Sequence, residues 1–574
     1  MACVKDSQLR NERKHLELPE LIRFLESGAS YPHGPSDVRS IQTHISWVFI
    51  ASPFVFKMKK PVNLGFADFS TLEKRRHFCR REVELNRRLC PEVYLGVVPI
   101  FKTASGFSFN GNGRIAEYCV KMKELPRGWF LSELLTKNLV GEAEINRVIS
   151  RLHRFYQAQA PSPEIELWGT SEKLKISTDE NFAQVEPCVG KTISPAAFET
   201  VRRFANRFYA MHEKLFRERI QQHRIHDCHG DLHLDHIHVT PGTLSIFDCI
   251  EFNDRFRFID IANDLAFLAM DFDFKERSDL ANLLLRNAAR EFRDSQMLQL
   301  TDFYKCYRAF VRGKVESIQA TALPLPSPPP SPKPTPLPAP GNFVATLFPR
   351  ERAGLRAIPP GKSDCEEHEK QAARYFRLAL RYAIAGSERL VLVVMGPVGT
   401  GKTTVAHQLG KELAWQVFSS DQIRKTLAGI SSTERTAPEQ RDRVYSEQMS
   451  EQTYKELLRQ GLVALEKQRG VVLDATFSKR TYREFLRQEC EKSKVHLQVL
   501  ELDTDRDQIE KRLRARDRSA GEISDARLED LEKLTAAYEP PSELVADLIK
   551  ISANDSAFDT VKTALFQLSE KRLH

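Results

Sequence analysis

The sequence predicts two folded domains of different kinds, the second of them α/β, and three observations predict it. A chain of 574 residues exceeds the roughly 250–300 residues at which a single core stops growing. The segment "ALPLPSPPPSPKPTPLPAPGN", Ala322 to Asn342, is nearly every second residue proline. Proline lacks a backbone donor and fixes φ, so the stretch reads as a semi-rigid extended spacer. Beyond it, "LVLVVMGPVGTGKTTVAHQLGKELAW" runs apolar strand, glycine-rich loop and helix in immediate succession. The expected division is therefore 1–320, a linker over 321–365, and a second domain over 366–574 that opens on the helical pattern "EEHEKQAARYFRLALRYAIA".

Composition narrows the class. A hydrophobic fraction of 41% and a charged fraction of 28% are those of a folded globular chain. No apolar run approaches a bilayer span, and the start "MACVKDSQLRNERKHLELPE" is charged where a signal peptide would be apolar, so a cytoplasmic protein without membrane partners is expected. The 10 cysteines stand singly, without spacing suited to zinc, and read as buried free thiols. A net charge of +8 permits an anionic partner without requiring one.

In the second domain, Gly396, Gly399 and Gly401 let the backbone wrap phosphates, Lys402 reaches the β and γ phosphates of ATP, and Thr403 offers its hydroxyl to Mg²⁺, with Thr404 beside it. "AWQVFSSDQIRKTLAG" then places Asp421 at a strand end as a candidate acceptor of a hydroxyl proton, and Arg424 as a candidate holder of the acceptor. Ser420 and Asp421 equally suit a helix cap. "GVVLDATF" ends in Asp474, a candidate Mg²⁺ acid, and "EKRLRARDRSAGEISDARLEDL" sets Arg512, Arg516 and Arg518 around a loop. Together these stretches resemble the P-loop kinase and AAA-type ATPase group that includes zeta toxin, gluconate kinase and the kinase part of polynucleotide kinases. The resemblance covers most of Glu366 to His574. It implies a doubly wound parallel sheet and phosphoryl transfer, with lid arginines over ATP, and leaves the acceptor open.

The first domain carries "HGDLHLDHIHV", followed by "LSIFDCIEFNDRFRFIDIANDLAFLAMD". A His-Gly-Asp loop, a strand and a return strand ending in Asp248 resemble the aminoglycoside phosphotransferase group. That resemblance spans Leu18 to Ala320 and is specific in its catalytic half. It implies an α+β bilobal protein-kinase-like fold, with Asp231 as the catalytic acid that takes the substrate hydroxyl's proton and Asp248 on the Mg²⁺ of ATP. Asp260 and Asp264 are expected to brace the loop rather than react. Where the pattern has a metal-binding asparagine, this chain has His236, and imidazole suits Mg²⁺ poorly.

Upstream, "WVFIASPFVFKMKKPV" reads as two strands turning at Ser52-Pro53, and "RREVELNRRL" as a helix. Kinase-like folds need a strand lysine on the phosphates paired with a helix glutamate. Period-two alternation puts Lys57 and Lys59 on one face, so either serves, with Lys57 and Glu82 preferred. Backbone groups of Tyr118 to Met122 are expected to meet adenine. No GxGxxG stands near the first strands, where "RSIQTHISWVF" turns on Thr43 to Ser46 instead.

The leading expectation is a bifunctional ATP-dependent kinase, each domain phosphorylating a small-molecule hydroxyl. One alternative makes the second domain a polynucleotide 5′-hydroxyl kinase, with nucleic acid as partner. Another, prompted by His236, makes the first domain a nucleotide-binding regulator of its neighbour.

Overall fold

The computed structural model describes residues 18–321 and 362–573, apart from His44, Asn112, residues 432–433, Arg435 and residues 518–526. The proline-rich stretch lies outside these. Two compact units emerge. Among the described residues one holds 18–180 and 214–301, and the other 181–213, 302–321 and 362–573.

The first unit begins with an antiparallel sheet of six strands: β1 (Arg39–Gln42), β2 (Ser46–Ala51), β3 (Phe54–Lys59), β4 (Tyr94–Thr103), β5 (Gly106–Ser108) and β6 (Arg114–Lys123), in the order β1-β2-β3-β6-β4-β5. The turn from β1 to β2 falls where the sequence suggested, with Thr43 N–H donating to Ser46 O at 2.9 Å and Ser46 N–H to Thr43 Oγ1 at 3.0 Å. β2 and β3 form the hairpin across Ser52-Pro53, with Val48 opposite Lys57. The helix Leu72–Arg87 starts on Thr71, whose hydroxyl accepts from Lys74 N–H, and has Glu73 in its first turn. It buries Cys79 and Val83 against Tyr94 and Val120 of the sheet.

After these come four short strands in two antiparallel pairs, β7 (Ile225–Asp227) with β10 (Phe258–Asp260) and β8 (Ile237–Val239) with β9 (Leu244–Ile246). The helix Ile261–Phe274 is buried on nearly every side, which fits its all-round apolar sequence.

In the second unit, β11 (Leu390–Met395), β12 (Gln416–Ser419), β13 (Gly470–Asp474), β14 (His496–Asp503) and β15 (Leu548–Ser552) form one parallel sheet in the order β12-β13-β11-β14-β15. Every residue of β11 is buried, as the continuous apolar run requires of a central parallel strand. This unit also recruits residues that precede the proline-rich stretch. Phe208 of the helix Pro195–Met211 stacks on Phe303 at 4.2 Å, Arg203 and Arg207 pair with Glu570, and the Cys306 thiol donates to Ala379 O at 3.3 Å. The compact units thus do not follow the chain-order division 1–320 and 366–574, because aromatic and ionic partners far apart in sequence draw these two segments into the second unit.

Eight of the nine described cysteines are buried, and none of the nine is in a disulfide. Among the described residues no helix is long and apolar enough to cross a membrane.

In the first unit the Arg219 guanidinium, fully buried, makes two bonds of 2.8 Å to Asp260 and a third, of 2.5 Å, to Asp294. Arg219→Met should deprive two buried carboxylates of the counter-charge they share and cost about 3–5 kcal/mol of stability, read as a lowered denaturation midpoint. An unchanged midpoint would show that the pairing does not hold this unit together.

Candidate functional site

The His229–Asp231 loop joins β7 to β8 and is held by its backbone. Asp264, in the first turn of the helix Ile261–Phe274, accepts from His229 N–H at 3.0 Å and Gly230 N–H at 2.9 Å, and also from the Tyr156 hydroxyl at 2.8 Å. Further along the helix, Asp271 accepts from Leu234 N–H at 3.0 Å. Gly230 has φ +84, and a Cβ there would lie 2.8 Å from Phe256 O, so the turn needs glycine. Asp260 caps the helix through Ala262 N–H at 2.8 Å while paired with Arg219. These are the bracing duties expected for Asp260 and Asp264; Asp271 was not foreseen.

Three histidines of this stretch, His229, His233 and His236, have tautomers set by their partners. A carbonyl can only accept, so His229 donates from Nε2 to Phe247 O at 2.8 Å, and His236 donates from Nδ1 to Asp231 O at 2.9 Å. His233 accepts from Asp235 N–H at Nδ1. Its Nε2 lies 3.6 Å from Asp231 Oδ2. His236 Nε2 lies 3.6 Å from Asp248 Oδ2. Burial, with His233 adding to it, pushes the His236 ring down to about 4, so the ring is neutral near pH 7.

Asp248 follows β9 with φ +62, its N–H donating to the Tyr94 hydroxyl at 3.2 Å. Its other oxygen receives the Lys57 ammonium at 2.5 Å, and Lys57 also meets Glu82 at 2.9 Å. Lys59 sits deeper: its side chain is 0% exposed against 12% for Lys57, and it joins Glu82 at 2.7 Å and Glu251. Burial alone would lower the Lys57 ammonium, but Asp248, Glu82 and Glu251 around it raise it well above its ordinary value. Burial would likewise raise Glu82 and Asp248, yet the facing lysines, and His236 for Asp248, hold both below the usual carboxylate range.

Of the residues expected here, Lys57, Glu82, Asp231, His236 and Asp248 therefore come together, and depth separates the two lysines. The adenine expectation is overturned. Tyr118 to Met122 lie inside β6, paired to β4 along the whole stretch and to β3 from Cys119 onward, so their backbone groups already serve the sheet.

In the second unit, Gly396 has φ +141, and a Cβ there would fall 2.4 Å from Leu502 O; Gly399 and Gly401 also take positive φ. The helix Lys402–Leu413 begins directly after the loop, aiming its N-terminus at it. Lys402 Nζ donates to Pro397 O at 2.8 Å. Thr403 Oγ1 donates to Asp474 Oδ2 at 2.8 Å, and Thr404 is exposed in the same turn. Burial raises the Asp474 carboxyl, Lys402 pulling against it, with the Asp421 charge felt there as well. Thr403 and Asp474 are oxygen donors of the kind Mg²⁺ accepts.

Asp421 stands in the first turn of the helix Ser420–Ala428, whose N-cap is Ser419 with no side-chain cap bond. Arg424 is buried, donates to Ser450 Oγ at 3.0 Å and Val444 O at 3.3 Å, and lies 5.0 Å over the Tyr445 ring. Arg512 is engaged on backbone: it donates to Thr400 O at 3.0 Å and Ala553 O at 2.7 Å, which fixes the loop's position. The Arg516 side chain and all of Arg518 lie outside the described residues.

Two family models match separate parts of the chain. The family described as "Phosphotransferase enzyme family" matches residues 80–298, and the "AAA domain" family matches residues 391–541. "Uncharacterized protein Rv2004c" of Mycobacterium tuberculosis is 30% identical over 442 residues, which are 77% of this chain and 78% of that protein. "Uncharacterized protein Mb2027c" of Mycobacterium bovis matches to the same extent. Among solved structures, a gluconokinase from Sinorhizobium meliloti is 20% identical, covering 31% of this chain and 91% of its own, with TM-score 0.23. Kti12 of Chaetomium thermophilum, in complex with ADP-AlF3, is 19% identical, covering 32% and 99%, with TM-score 0.24.

The two lysines of β3 should separate by experiment. Lys59→Met strands Glu251 and half of Glu82 in the core and should cost about 3–5 kcal/mol in denaturant unfolding. Lys57→Met should change stability far less and instead weaken ATP binding. The reverse pattern would exchange their roles.

Proposed function

We propose, starting from a chain that belongs to the family of these mycobacterial proteins, that two phosphotransfer centres share one polypeptide. The chain is an enzyme of the phosphotransferase class. Our reading is that each centre moves the γ-phosphate of ATP to a hydroxyl of a small-molecule acceptor. The observation that carries it is the Lys57 ammonium joined at once to Glu82 and Asp248, with Asp231 on the adjoining loop.

In the first unit Lys57, positioned by Glu82, holds ATP phosphate oxygens once it leaves Asp248. Asp231 orients the acceptor hydroxyl and takes its proton as the acceptor oxygen bonds to the γ phosphorus and the bond to the β-γ bridging oxygen breaks, releasing ADP. In the second unit the glycine loop and Lys402 cradle the phosphates, Asp421 takes the acceptor's proton, and Arg424 holds the acceptor. Thr403 and Asp474 would hold Mg²⁺, and Asp248 a divalent cation, which would neutralise charge on the phosphates.

His236 favours one second reading for the first unit, a nucleotide-binding regulator, because it stands where an oxygen donor is expected. Labelled γ-phosphate transfer into small metabolites, 5′-hydroxyl RNA and protein separates the two. Asp231→Asn and Asp421→Asn should each remove a different labelled product, with turnover reduced roughly 10²-fold or more. If Asp421→Asn removes every product and Asp231→Asn none, the first unit is a regulator and the two-centre reading fails.

A further inference from the structure

The metal position of the first unit is not built for magnesium. His236 spends its Nδ1 proton on Asp231 O at 2.9 Å, so in the neutral ring Nε2 carries a lone pair. That lone pair faces Asp248 Oδ2 at 3.6 Å, too far for a hydrogen bond, and among the described residues Nε2 makes none. Asp248 is itself an acceptor, since its other oxygen already receives Lys57. Two electron-pair donors therefore confront one another across a gap that a single cation with bonds of about 2.1 Å to each can span. Asp231, His233 and His236 also hold ligand atoms within 4.8 Å of one another, so further donors stand beside this pair.

We propose that His236 Nε2 and Asp248 Oδ2 bind a divalent first-row transition-metal cation, for which Mn²⁺ is the spectroscopic probe, and that the first centre works with such an ion in preference to Mg²⁺. The proposal rests on the reading of this unit as a phosphotransfer centre, and it deepens that reading by naming the class of ion. Hard Mg²⁺ selects oxygen and keeps its waters, whereas first-row transition cations also accept imidazole nitrogen, Mn²⁺ least strongly and Co²⁺ and Zn²⁺ more so. The second unit's Thr403 and Asp474 offer only oxygen, so the two centres divide the available metals by ligand type.

The test is electron paramagnetic resonance of Mn²⁺ added to the untagged full chain without nucleotide, in an excess of Mg²⁺. The expected result is a bound Mn²⁺ with nitrogen hyperfine coupling that changes when histidine is ¹⁵N-labelled. In His236→Asn, which puts an oxygen donor at that position, the nitrogen coupling should vanish whether or not Mn²⁺ still binds. Bound Mn²⁺ without nitrogen coupling, or coupling retained in His236→Asn, would overturn the proposal and leave the phosphotransfer reading standing. The wild-type coupling decides the matter even if the variant folds poorly. Loss of the phosphotransfer reading would appear separately, as unchanged labelled products in Asp231→Asn.

Discussion

Backbone amides in the loop from His229 to Leu234 cannot all find partners in a strand or helix, and the structure pairs them with carboxylates. Asp264 and Asp271 project from one buried helix and accept from His229, Gly230 and Leu234. A charge buried in this way must be compensated, and three hydrogen bonds to Asp264, one of them from Tyr156, supply that compensation. The helix is in turn fixed at its start by Asp260, clamped by Arg219. The positions of Asp231 and His236 depend on this chain of contacts, since both residues sit on the stretch it holds. Rigid placement of reacting groups is what a phosphoryl-transfer site requires most.

A second constraint acts from the sheet side. Lys57, Glu82, Lys59 and Glu251 form an alternating ladder of charges, most of it out of water. Burying four charges costs desolvation that only close pairing offsets. Asp248 extends the ladder to the mouth of the site, where its carboxylate is 35% exposed. An anion entering there would replace a carboxylate as the partner of Lys57 without stranding the lysine. The second unit instead presents bare backbone and a helix N-terminus at its glycine loop, with Thr403 bonded to Asp474.

Much of this was legible in the sequence because the relevant signals are local. The glycine loop, the strand ending in Asp474 and the hairpin before Asp248 all lie where short patterns placed them. What escaped was set by partners distant along the chain. Period-two alternation could not rank Lys57 against Lys59, since both share one face; Glu251, 192 residues beyond Lys59, draws the second lysine into the core. Tyr118 to Met122 read as a segment whose backbone meets adenine, but pairing to β4 throughout and to β3 from Cys119 onward makes it central strand. Arg512 read as a phosphate-facing arginine, and the carbonyls of Thr400 and Ala553 that occupy it leave no trace in sequence. The helix Pro195–Met211 belongs to the second unit through Glu570, a partner 367 residues from Arg203.

The account stands on two nucleotide sites in one chain, each with its own lysine. The most direct measurement is the number of ATP molecules bound per chain by equilibrium dialysis, in the wild type and in Lys57→Met and Lys402→Ala. Two nucleotides per chain, with one lost in each variant and none in the double variant, is the predicted result. A single nucleotide that Lys402→Ala abolishes and Lys57→Met leaves intact would contradict it.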